Sequence, residues 1–128
     1  LWPVTQRAAT CLTSMAYHNY HGLVVEEDEK PILIKNLSDK KNLILHNHGI
    51  LTVGSTVEEA MCLIRALQVA CETQVLIHKD RAIHISPSVL NDFRRRRTVG
   101  LGGGEKPYMI VWNAMHRLVE QKYPEYKL

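Results

Sequence analysis

Two apolar patterns divide the chain. One is short and uniform: Leu43-Ile44-Leu45 follows the polar stretch Asp39-Lys40-Lys41-Asn42, is interrupted by His46-Asn47-His48-Gly49, and resumes at Ile50–Val53 before Gly54. A run this short and evenly apolar, entered from a turn, predicts a central β-strand that delivers His46 and His48 at or just beyond its end. If the strand stays regular, residues two apart share a face and both imidazoles point to one side. Gly49 lets the backbone turn sharply or approach a ligand closely. The other pattern is periodic: Ala60, Met61, Ile64, Leu67, Cys71 and Val75 recur at three- and four-residue spacing, predicting an amphipathic helix over 56–75. Thr56 and Glu59 open it as a capping box, each side chain reaching the other's backbone N–H. Its apolar stripe is core or subunit contact.

Elsewhere the pattern is shorter. Ala8, Ala9, Leu12, Met15 and Ala16 predict a helix over 5–16 capped by Thr5. Tyr17–Gly22 reads as a loop or strand edge whose rings pack and whose polar tips stay wet. Leu23–Val25 reads as a strand, and the acidic run Glu26–Glu29 as a solvated turn. Ile32-Leu33-Ile34 by itself suggests a strand. Ser86 and Pro87 start a short helix anchored by Val89, Leu90 and Phe93 and ending in Arg94–Arg97, where cations complement the helix dipole or grip a phosphate or acidic partner. A flexible glycine-rich linker spans 98–107; it lacks the Lys-Ser/Thr of a phosphate loop. Ile110, Val111, Ala114, Met115, Leu118 and Val119 predict a final helix ended by Tyr123-Pro124.

Composition narrows the function classes. With 128 residues, 45% hydrophobic and 23% charged, the chain has the size and make-up of one globular domain. The net charge is +3, and without Arg94–Arg97 the rest is close to neutral, so nucleic acid is not indicated. No apolar run is long enough to span a bilayer, and no stretch reads as a signal peptide, so neither is expected. Cys11, Cys62 and Cys71 are odd in number and widely spaced, which favours a reducing, cytoplasmic setting.

A His-x-His pair suits zinc or a similar divalent ion, although a tetrahedral site needs more ligands than two residues supply. The alternative is a strand end whose histidines bond to backbone or solvent. Asn47-His48-Gly49 between an apolar strand and Thr52-Val53-Gly54, followed by Val57-Glu58-Glu59-Ala60, resembles the class II aldolase/adducin family. Leu1–Gln6, Ala16–Gly22 and Ala70–Val75 resemble its adducin-related branch. The resemblance covers most of residues 1–78. It implies a three-layer α/β/α fold around a mostly antiparallel sheet, with this chain as the C-terminal part of a single, incomplete domain whose N-terminal part precedes Leu1. It also places a helix at 31–37, with Pro31 in the first turn.

In that family the histidine of Asn-His-Gly is one ligand of a catalytic divalent metal, here His48, with zinc the expected ion. An earlier His-x-His and an acidic base complete the site; the matching region lies before Leu1, so the catalytic residues stay unassigned. His46 departs from the family pattern and receives no metal role. The resemblance implies a lyase acting on a small sugar phosphate or related hydroxy-carbonyl compound through a metal-stabilised enediolate, and a homo-oligomer. The alternative is a catalytically silent adducin-like scaffold, the case in which the actin cytoskeleton becomes a partner.

Overall fold

The computed structural model describes residues 1–20, 22, 29–99 and 106–127, side chains at 97–99 excepted. Helix α1 (Gln6–Leu12) leads into strand β1 (Met15–His18), helix α2 (Glu29–Leu37), strands β2 (Asn42–Leu45) and β3 (Gly49–Thr52), and the long helix α3 (Val57–Leu76). Helices α4 (Pro87–Val99) and α5 (Pro107–Lys122) follow. The strands form a mixed sheet in the order β1-β2-β3, with β1 parallel to β2 and β2 antiparallel to β3. The expected strand Leu23–Val25, acidic residues 26–28 and glycines 100–104 lie outside the described residues.

Side-chain alternation turns this sheet into the middle of three layers. In β1, Met15 packs against the cluster of Ala8, Cys11, Leu67 and Ala70 that joins α1 to α3, as does Ile50 of β3. Ala16 and His18 point the other way, and His18 meets Glu29 and Asn36 of α2. Asn42 is in register with Met15, and Ile44 with Ile50, so those β2 residues face α1 and α3. Leu43 is fully buried. The α/β/α arrangement is the expected one. The sheet, expected to be mostly antiparallel, is mixed among the described strands.

Local chemistry accounts for the boundaries. Thr5 caps α1 as expected, its hydroxyl accepting from the Ala8 N–H at 3.0 Å. The helix stops four residues before the expected Ala16, because Ser14 turns its carbonyl to the Asn42 N–H at 3.0 Å and starts the parallel ladder. Strand pairing overrides the weak helical periodicity there. The stretch 31–37 is helical, as the resemblance implied and the isolated Ile-Leu-Ile pattern did not. In α3 the burial is narrower than the apolar stripe: Leu67 and Ala70 are buried, whereas Met61 is 43% and Val75 81% exposed.

The capping box at the start of α3 is shifted by one residue. Thr56 accepts from the Glu59 N–H at 3.3 Å, but Glu59 bonds the Ser55 N–H at 2.8 Å and the Ser55 hydroxyl at 2.7 Å, not Thr56. Its other oxygen holds the Lys41 ammonium. Burial pushes the Glu59 carboxyl up, but the bonds from Lys41 and Ser55 outweigh it and bring the pKa to about 2.

Candidate functional site

Strands β2 and β3 are joined by the turn His46-Asn47-His48. The His48 N–H donates to the Leu45 carbonyl at 3.1 Å, closing a β-turn with His46 and Asn47 at its centre. Asn47 has φ 55°, and asparagine is among the few non-glycine residues that take this left-handed position readily. The His46 N–H donates to the His18 carbonyl at 2.9 Å, extending the parallel ladder one residue past β2. Because the strand ends at Leu45, period-two alternation does not carry both imidazoles to one face. Gly49 has no positive φ, and a Cβ added to it would meet no atom within 4 Å, so it is not the turning residue. Asn47 is.

His46 and His48 are both exposed. The His46 ring tilts against Tyr17, with centroids 5.8 Å apart. Among the described residues the His48 imidazole makes no hydrogen bond, ion pair or ring contact. A solvent-facing, unbonded imidazole fits the role of one metal ligand. No group of three or more His, Cys, Asp or Glu side chains able to hold a metal occurs among the described residues. Among the described residues, therefore, no coordination set forms around His48.

A second histidine sits close to the hairpin, in a place the sequence pattern conceals. His18, expected in a wet loop or strand edge, ends β1 and is 2% exposed. Its Nε2 lies 3.2 Å from Glu29 and its Nδ1 accepts from the Asn36 amide at 2.9 Å. With Nδ1 as acceptor, the proton is on Nε2 and donates to the Glu29 carboxylate. Glu29, expected within a solvated turn, instead opens α2 with only 17% of its side chain exposed. Eleven residues of separation hid this pair. His21 lies outside the described residues.

The arginine run is divided by the fold. Arg95 and Arg96 both bond Asp92 one turn back, at 2.5 and 2.6 Å, and hold its carboxyl below the usual range. Arg94 instead reaches the Leu12 carbonyl at the end of α1, at 3.4 Å. Cys11, Cys62 and Cys71 form no disulfide with one another, and Cys11 is buried. Among the described residues no helix is long and apolar enough to cross a membrane.

The profile of the "Class II Aldolase and Adducin N-terminal domain" matches residues 1–75. Rat alpha-adducin is 51% identical over 76 residues, covering 59% of this chain and 10% of that protein. The crystal structure of an aldolase II superfamily protein from Pseudomonas syringae superposes with a TM-score of 0.89 at 29% identity, over 100% of this chain and 51% of the other. L-fuculose 1-phosphate aldolase from Glaciozyma antarctica PI12 superposes with a TM-score of 0.71 at 25% identity, over 98% of this chain and 45% of the other. The chain thus spans about half the length of the relatives that match it from end to end.

Proposed function

The chain belongs to the class II aldolase and adducin family, and from that membership we propose that it forms the His48-bearing part of a metal-dependent lyase acting on a small sugar phosphate or related hydroxy-carbonyl compound. The observation that carries this reading is the His48 imidazole, exposed and without a side-chain partner among the described residues, at the tip of a hairpin whose shape Asn47 sets. The structural likeness to L-fuculose 1-phosphate aldolase supports the substrate class.

In this reading His48 is one ligand of a divalent ion, with zinc the candidate, and the remaining ligands and the base come from outside residues 1–128. The ion, when bound, polarises a substrate carbonyl as a Lewis acid. The chain's own contribution is positional. The Asn47 turn fixes the direction of His48, and the His46 N–H bond to the His18 carbonyl ties the hairpin to β1. The buried His18, held by Glu29 and Asn36, keeps α2 against the end of the sheet where the hairpin projects. Gly49 leaves open space beside His48, where a side chain would otherwise stand.

The test is retro-aldol cleavage of L-fuculose 1-phosphate and related ketose 1-phosphates by the family-length protein, read as aldehyde release. Activity that disappears in His48→Ala, in a protein that still folds, supports the lyase. A folded, inactive wild type that binds no divalent metal favours the second reading, an adducin-like interaction domain. That reading draws on the 51% identity to alpha-adducin. Homo-oligomerisation belongs to the proposal under either reading, and a cytoskeletal partner only under the second.

A further inference from the structure

The chain exposes 9506 Å² of surface, whereas a compact monomer of its 14.6 kDa exposes about 6,900 Å². The excess, about 2,600 Å², is roughly three times the 800 Å² or so that each partner covers in an interface of standard size. Exposed apolar residues are ordinary when scattered singly. On α5 they fall in line.

Helix α5 carries two apolar stripes. Tyr108, Met109, Trp112 and Met115 are half-buried and turn toward α3, where the Cys62 thiol donates to the Tyr108 carbonyl at 3.3 Å. Ile110, Ala114 and Leu118 form the second stripe, with Val111 beside it. At about 100° per residue it points well away from the first. All four of its residues are exposed, Ile110 to 58% and Leu118 to 50%. A helix with one neighbour needs one apolar face, and this one has a second that runs over more than two turns.

The fold favours a second copy of the chain as the cover. Further strands would add at the sheet, where β1 and β3 each have one unpaired side among the described strands. Helix α5 packs mainly on α3 and its own C-terminal turn, and the second stripe faces away from α3. The stripe also fits itself. Ala114 stands midway between two large residues, so a two-fold axis through it sets Ile110 of one copy against Leu118 of the other. The two alanines let the backbones approach closely at the crossing. No charged residue lies in the stripe, and Arg117 at its margin can lay its aliphatic stem along Val111 of the other copy.

We propose that α5 is a self-association surface, on which two copies of the chain pack their Ile110–Ala114–Leu118 stripes antiparallel about a two-fold axis. This gives the homo-oligomer of the proposed function a surface and a symmetry, and it stands under either reading of that function.

The experiment is sedimentation equilibrium of the 128-residue chain from about 1 to 100 µM, as wild type, Ala114→Glu and Ile83→Lys, with circular dichroism to confirm that the helices persist. Ile83 is the control because it is 87% exposed and lies outside α5. The wild type is expected to dimerise with a dissociation constant of about 10 µM. Ala114→Glu sets two carboxylates face to face on the axis and weakens association at least about a hundredfold, while Ile83→Lys changes it by less than about twofold. Ala114→Cys, oxidised with diamide, joins two chains at residue 114, because helices crossing at that position bring the two Cα atoms within disulfide reach. Mass spectrometry of the linked peptide reads this out even if Ala114→Glu fails to fold. A wild type that stays monomeric over the whole range overturns the proposal. So does association that a folded Ala114→Glu leaves intact, equal weakening by Ile83→Lys, or no link at residue 114. None of these outcomes bears on the aldehyde-release test of His48.

Discussion

Gly49 and Gly54 bracket β3 and answer to different constraints. A Cβ on Gly54 would stand 2.6 Å from the Ala60 nitrogen and 2.9 Å from the Thr56 carbonyl oxygen, where β3 runs against the start of α3. Backbone atoms on both sides cannot yield cheaply, so Gly54→Ala should lose about 1–3 kcal/mol. Gly49→Ala meets nothing within 4 Å and should cost less than about 0.5 kcal/mol. Chemical denaturation of the two variants checks the contrast, and equal losses would mean that the close approach at Gly54 relaxes. A tolerated Gly49→Ala that nonetheless impairs activity in the family-length protein would point to a ligand passing close to that backbone.

Glu59 gives the acid side of the stability profile a particular shape. Its folded pKa, about 2, lies below the ordinary 4.5. A depressed carboxylate contributes stability that is fully present above the unfolded value and is lost as pH falls through the folded one. Stability should therefore drop between about pH 4.5 and 2, and Glu59→Gln should flatten that drop while lowering stability at neutral pH. Parallel acid limbs in wild type and variant would show that Lys41 and Ser55 do not hold this carboxylate.

Among the elements, α3 shows how far a hydrophobic pattern can be trusted. Its capped start and periodicity made the helix plain in the sequence, and the observed Val57–Leu76 agrees. Periodicity reports that a face is apolar, not which neighbour covers it. Leu67 is fully buried against α1, whereas Val75 from the same stripe is 81% exposed. Leu67→Ala should accordingly cost about 2–5 kcal/mol, and Val75→Ala less than about 0.5 kcal/mol in this chain. Equal costs in thermal or denaturant unfolding would mean that the core is not where α1 and α3 meet. Strand β1 was hidden for a different reason. Met15 and Ala16 continue the helical spacing of α1, and only pairing with β2, 27 residues away in register, makes them a strand. The same non-local pairing carries His18 into the interior beside Glu29, a contact that no local pattern encodes.

At the scale of the whole molecule, the sheet separates two features that differ in how far the sequence shows them. The hairpin histidines project at one end and a cleft lined by Arg94 opens at the other. The first was legible because its residues are contiguous and resemble a known family. The second was not, because Ser14, Asn42, Glu59 and Arg94 come from separate parts of the chain and meet only through the fold. The three-layer fold was legible through the same resemblance, while the mixed strand pairing needed coordinates.

Divalent metal per chain in the family-length protein, with and without His48→Ala, tests the central claim most directly. Close to one ion is expected in the wild type, lost on the substitution while the fold is retained. Metal that stays in the variant, or is absent from the well-folded wild type, would contradict the assignment of His48 as a ligand.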